Sequence, residues 1–130
     1  MIVVDASAML EVLLRTKAAS DVERYLFAPG ETLHAPHLLD VEVAQVVRRY
    51  VAGGEIDGAR GGAALADMSD LPLRRYPHDI LIPRVWALRN NLTAYDAVYV
   101  ALAEALDAPL LTRDRRLAAA AGHRARIVMV

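Results

Sequence analysis

Short apolar runs alternate along this chain with longer stretches in which apolar residues recur at helical intervals. IVV at 2–4, LHA at 33–35, LPLRR at 71–75, APLLT at 108–112 and RIVMV at 126–130 predict strands. Residues 6–14, 18–28, 37–52, 56–69, 79–89, 93–106 and 114–121 predict helices. Pro29–Gly30, Gly53–Gly54 and Gly122 mark helix ends. Gly61 and Gly62 weaken the fourth helix, and Asn90 and Asn91 end the fifth. No repeat or linker interrupts the pattern, so one domain is expected over 1–130. Strands alternating with helices predict a three-layer α/β/α fold around a short, mostly parallel sheet. In such folds ligands sit beyond the carboxyl ends of the strands.

Composition adds limits. Hydrophobic residues make up 55% of the 130, and mean hydropathy is +0.25. Globular chains average about 45–50% apolar, so there is material for a core and a surplus for interfaces. There are no cysteines, which excludes disulfides and thiolate metal sites; a metal would be held by oxygen or imidazole. The longest apolar stretch, AVYVALAEALDAPLL, is broken by Glu104 and Asp107 and predicts no membrane span. Val3 and Val4 run straight into Asp5 with no basic region ahead, so no signal peptide and a cytoplasmic location are expected. The net charge of −1 lacks the excess of a non-specific nucleic-acid binder. Arginines nevertheless cluster at Arg48–Arg49, Arg74–Arg75 and Arg113/Arg115/Arg116.

Four carboxylates occupy unusual places. Asp5 follows the first strand and Asp114 follows LLT, which puts both on the same edge of a parallel sheet. Asp96 lies in the first turn of TAYDAVY, and Glu42 lies inside the helix HLLDVEVAQVV. Singly, Asp5, Asp96 and Asp114 are accounted for by helix capping and the helix dipole. Glu42 is harder to explain. At about 100° per residue it shares a half-polar stripe with Leu38, Leu39, Gln45, Val46 and Arg49. A partly buried carboxylate needs a partner, and Arg49, two turns on, is a distant one. A bound Mg²⁺ or Mn²⁺ explains all four acids together. It offsets their mutual repulsion, acidifies a coordinated water and stabilises the leaving oxygen of a phosphodiester. Ser7 and Thr112, each two residues from an aspartate, either support such a site through their hydroxyls or bond locally in turns.

VVDASAML, LLDVEVAQVVRR, TAYDAVYVALAEAL and LLTRDRRL, in this order, resemble the four signature segments of PIN-domain ribonucleases. The likeness is nearest to the VapC-like toxins of bacterial toxin–antitoxin modules, and it runs from residue 3 to about 117. It implies a PIN-like fold in which Asp5, Glu42, Asp96 and Asp114 are the acidic metal-binding quartet, with Ser7 and Thr112 at the polar positions beside the first and last acids. It also implies a Mg²⁺- or Mn²⁺-dependent endoribonuclease, a cognate antitoxin and a homodimer. The alternative is a catalytically silent PIN-type module that only binds RNA or a partner.

Other residues are read beside this. Arg113, Arg115 and Arg116 surround Asp114 and oppose the helix dipole, which suits contact with RNA phosphates; solvated arginines are the competing explanation. Arg49 is a weaker candidate for the same role. His34, His37, His78 and His123 lack the spacing of a zinc helix and are expected to be structural. Tyr95 and Tyr99 are expected in the core or an interface, and Trp86 in packing. A haloacid-dehalogenase-type phosphatase would need an aspartate where Ser7 stands. A response-regulator receiver would need a late lysine, but the only lysine is Lys17.

Overall fold

The computed structural model describes residues 1–130. The elements run β1 (Ile2–Val4), α1 (Ala6–Leu13), α2 (Ala19–Leu26), β2 (Leu33–Pro36), α3 (Leu38–Ala52), α4 (Gly58–Asp70) and β3 (Leu73–Tyr76). A 3-10 turn over Asp79–Leu81 then leads into α5 (Ile82–Ala87), α6 (Ala94–Leu106), β4 (Leu110–Thr112), α7 (Arg115–Ala119) and β5 (Ile127–Met129). The expected elements are all present, with ends shifted by a few residues.

The strands form one sheet in the order β3-β2-β1-β4-β5. Every pairing is parallel, so the sheet is wholly rather than mostly parallel. β1 is central, with Ile2 opposite Leu33 on one side and Val3 and Val4 opposite Leu110 and Leu111 on the other. Ile2, Val3, Val4, Leu110 and Leu111 are all buried, as expected of strands covered on both faces. The helices make the outer layers of an α/β/α arrangement. α6 packs against β1, β2 and β4, with α5 beside it, while α1 contacts α2, α3 and α4.

Local chemistry explains these placements. α6 buries every residue from Ala97 to Ala103, and its alanines let it lie close to the sheet. α3 buries Leu39, Val43 and Val47, one per turn. His37 gives α3 no side-chain cap. His78 instead accepts a hydrogen bond from the Leu38 N–H at 2.9 Å. Arg75 on β3 grips Asp40 through two bonds of 2.6 and 2.9 Å. α4 tolerates Gly61 because α3 lies against it: a Cβ there would sit 2.9 Å from Val51 Cγ2.

Three of the four histidines bond within the fold, His78 at the start of α3 as above. Buried His34 bonds the Thr32 hydroxyl at 2.8 Å and the Tyr76 hydroxyl at 2.7 Å, and His123 accepts from the Ala125 N–H. Trp86 differs from expectation. It is 67% exposed, with the Arg89 guanidinium 4.6 Å above its ring. The short helix α5 turns Val85 inward, which sends the next residue outward.

Candidate active site

Two buried polar residues, Asp5 and Thr112, stand at the carboxyl ends of β1 and β4. Asp5 leaves β1 with extended backbone and caps α1 through its Oδ1, which accepts from the Ala8 N–H at 3.0 Å. The same oxygen accepts from the Ser7 hydroxyl at 2.7 Å. Oδ2 accepts from the Thr112 hydroxyl. Ser7 Oγ also accepts from the Arg113 N–H at 2.9 Å, and Thr112 Oγ1 from the Asp114 N–H at 2.9 Å. The two hydroxyls therefore hold the first acid and fix the backbone leading into the last. Asp114 caps α7 through Oδ1, which accepts from Arg116 N–H and Leu117 N–H at 2.8 and 3.3 Å. For these two aspartates capping is real, and it coexists with a position at the carboxyl edge of the sheet.

α3 and α6 bring the other two acids. The Thr93 hydroxyl caps α6 by accepting from the Asp96 N–H at 3.2 Å, which sets Asp96 in the first turn. Half-buried Glu42 lies beside the core stripe of α3. Its Oε1 is buried without a hydrogen-bond partner, and so is the Tyr99 hydroxyl. Arg49 lines the same groove as Glu42, together with Leu38, Val41, Gln45, Val46 and Tyr95, but forms no ion pair with it.

The electrostatics tie the four acids together. Burial holds the Asp5 carboxyl above its usual range despite its three donors, and the charge of Asp114 adds to the effect. Burial does the same to Glu42, opposed by the nearby Tyr99 hydroxyl and reinforced by Asp96 and Asp5. Asp96 is raised by burial and then by Asp114. Burial, then Glu42, pushes the Tyr99 phenol far above its normal range. The acids thus repel one another, and none has a salt-bridge partner within 4.0 Å. As the side chains stand, no three carboxylates or imidazoles gather tightly enough to enclose a metal ion. The donor set itself, all oxygen and carrying an orphaned Glu42 oxygen, fits a hard divalent cation.

The arginines divide. The Arg113 guanidinium is tied to the Val130 carbonyl at 2.8 Å and to Glu11 at 3.2 Å. Arg115 and Arg116 are exposed, and no side-chain partner holds their guanidinium groups. Tyr95 is 65% exposed, outside the core, whereas Tyr99 is 2% exposed and adjoins the acids. Tyr99 is the site residue that the sequence reading passed over. Its signal was a position one turn after Asp96, on the same face of the helix.

The PIN domain family matches residues 2–123. Ribonuclease VapC1 of Mycobacterium tuberculosis is 50% identical over 121 residues, covering 92% of this chain and 90% of its own length. Among solved structures, Mycobacterium tuberculosis VapC20, a sarcin-ricin loop cleaving toxin, has a TM-score of 0.72 at 15% identity, over 95% of this chain and 97% of that one. A toxin–antitoxin complex from Klebsiella pneumoniae gives a TM-score of 0.68 at 17% identity, over 92% and 91%. At such identities the two structures share the fold; the sequence relationship carries the rest. The chain belongs to the PIN-domain family, among the VapC ribonucleases.

Proposed function

We propose that this protein is a Mg²⁺- or Mn²⁺-dependent endoribonuclease and the toxin of a toxin–antitoxin pair, silenced by a cognate antitoxin. The observation that carries this reading is the set of four mutually repelling acids at one sheet edge, with an orphaned oxygen on Glu42. Asp5, Glu42, Asp96 and Asp114 would hold the ion, which when bound offsets phosphate charge and strengthens a water nucleophile. Ser7 and Thr112 fix Asp5 so that its position does not drift when charge is neutralised. Arg115 and Arg116 offer positive charge to RNA phosphates beside the acids. Arg113, held by Glu11 and Val130, and Arg49, in the Glu42 groove, are weaker contacts.

The Klebsiella pneumoniae likeness supports an antitoxin partner. Exposed Val41, Ile80, Ile82, Trp86 and Tyr95 supply apolar surface suited to that partner or to a homodimer. No helix is long and apolar enough to cross a membrane, which agrees with action on RNA in the cytoplasm.

The test is incubation of antitoxin-free protein with total cellular RNA. Cleavage is expected with Mn²⁺ or Mg²⁺ and none with EDTA, and Asp5→Ala and Asp96→Ala should both be inactive. Cleavage that survives either substitution would refute the mechanism. Failure of both metals would leave a silent RNA- or partner-binding module as the better account. Sequencing of cleavage ends after induction would identify the target.

A further inference from the structure

Tyr99 presents a chemical anomaly. Its ring is packed in the core and its hydroxyl is buried, yet the hydroxyl has no hydrogen-bond partner. Packing needs only the ring, and phenylalanine would supply that without burying a polar atom. A second orphan lies within interacting reach, on a different helix: Oε1 of Glu42, a carboxylate oxygen equally buried and unpartnered. A phenol can donate one hydrogen bond, and a carboxylate can only accept. The two unsatisfied groups are therefore complementary. No other unpartnered buried side-chain atom adjoins the acids, since the third in the molecule is Nε2 of His123, on the segment after α7.

We propose that Tyr99 is the positioning residue for Glu42. Its hydroxyl donates to one carboxylate oxygen when Glu42 engages a divalent cation, leaving the second oxygen for the ion. This rests on the reading of Glu42 as a metal-binding acid. It assigns the supporting contacts by element: Ser7 and Thr112 steady the acid of β1, and Tyr99 steadies that of α3.

Tyr99→Phe tests it in the full-length protein. Mn²⁺ affinity, measured by calorimetry without RNA, is expected to fall about tenfold or more, the range typical of lost supporting contacts to metal ligands. The kcat for RNA cleavage should fall comparably with KM unchanged. The melting temperature in EDTA should stay level or rise, because an orphaned hydroxyl has gone. In a Glu42→Gln background, Tyr99→Phe should cause no further loss of affinity. Wild-type Mn²⁺ affinity in Tyr99→Phe would overturn the proposal. So would a loss of affinity accompanied by a lower melting temperature, which would mark Tyr99 as a packing residue. The calorimetric result does not depend on the protein cleaving RNA, so failure here is separable from failure of the nuclease reading.

Discussion

Thr112 donates its hydroxyl proton to Asp5 across 107 positions of sequence, tying the ends of β4 and β1 together. The same oxygen accepts from the Asp114 N–H, so one fully buried side chain serves two acids. Thr112→Val keeps the shape but leaves a buried carboxylate oxygen and an N–H unpaired. A cost of about 1–3 kcal/mol in urea unfolding is expected, with cleavage reduced about 10–100-fold. Thr112→Ser, which keeps the hydroxyl, should recover most of both. Equal behaviour of the Val and Ser variants would show that the hydroxyl is idle.

The raised carboxyls of Asp5, Glu42 and Asp96 bind protons more tightly in the folded chain than in the unfolded one. Such groups stabilise the fold below their unfolded pKa, and that stability is lost as pH rises through the folded values. At pH 7 in EDTA the site is therefore a burden on the fold. Glu42→Gln should melt a few degrees above wild type at pH 7 while losing cleavage. Its advantage should vanish near pH ~4, where the unfolded carboxyl titrates. Added Mn²⁺ should raise the wild-type melting temperature more than that of the variant. A Glu42→Gln protein that melts lower at pH 7 would contradict the electrostatic account.

Glu104 carries structure rather than chemistry. Its side chain is 2% exposed. It takes two bonds from Arg84 at 2.7 and 3.0 Å and one from the Arg124 N–H at 2.9 Å. The Arg84 bonds, more than any other influence, hold its carboxyl below the usual range. Glu104→Ala should cost about 2–3 kcal/mol by denaturant titration, below the figure for fully buried pairs because Arg84 is partly solvated. Metal affinity should be unaffected.

Two neighbouring glycines in α4 should respond in opposite directions. A methyl at Gly62 meets nothing within 4 Å, so Gly62→Ala should stabilise by about 0.5–1 kcal/mol through helix propensity. A methyl at Gly61 would lie 2.9 Å from Val51 and 3.1 Å from Val47. Gly61→Ala should then be neutral or destabilising, as α3 and α4 are pushed apart. Paired urea titrations compare the two, and equal gains would mean that the helices separate freely.

What could be read in the sequence followed from geometry that repeats. Strand alternation put Asp5 and Asp114 at one edge because parallel strands share a direction, and the helical wheel singled out Glu42 because a turn has a fixed angle. What could not be read were choices of side-chain direction. No spacing announces that the Arg113 guanidinium is held by Glu11 and Val130. Trp86 looked like packing and stands in solvent, because a six-residue helix has only one inward residue to give. Tyr99 looked like any core aromatic, since sequence shows that a ring is buried but not where its hydroxyl points. Gly61 looked like a weakness in α4, and its reason lies on another helix.

The central place of β1 sets an order of events during synthesis. The first strand made must wait for β4, at Leu110–Thr112, before its second edge is paired. Until then Asp5 lacks the Thr112 hydroxyl, and Asp114 does not yet exist on the nascent chain. Such distant pairing is closed late and slowly. Any fragment that stops short of β4 carries an open strand edge and three of the four acids. The fourth acid thus joins the other three only when nearly the whole chain has been made, so the topology itself delays completion of the acid set.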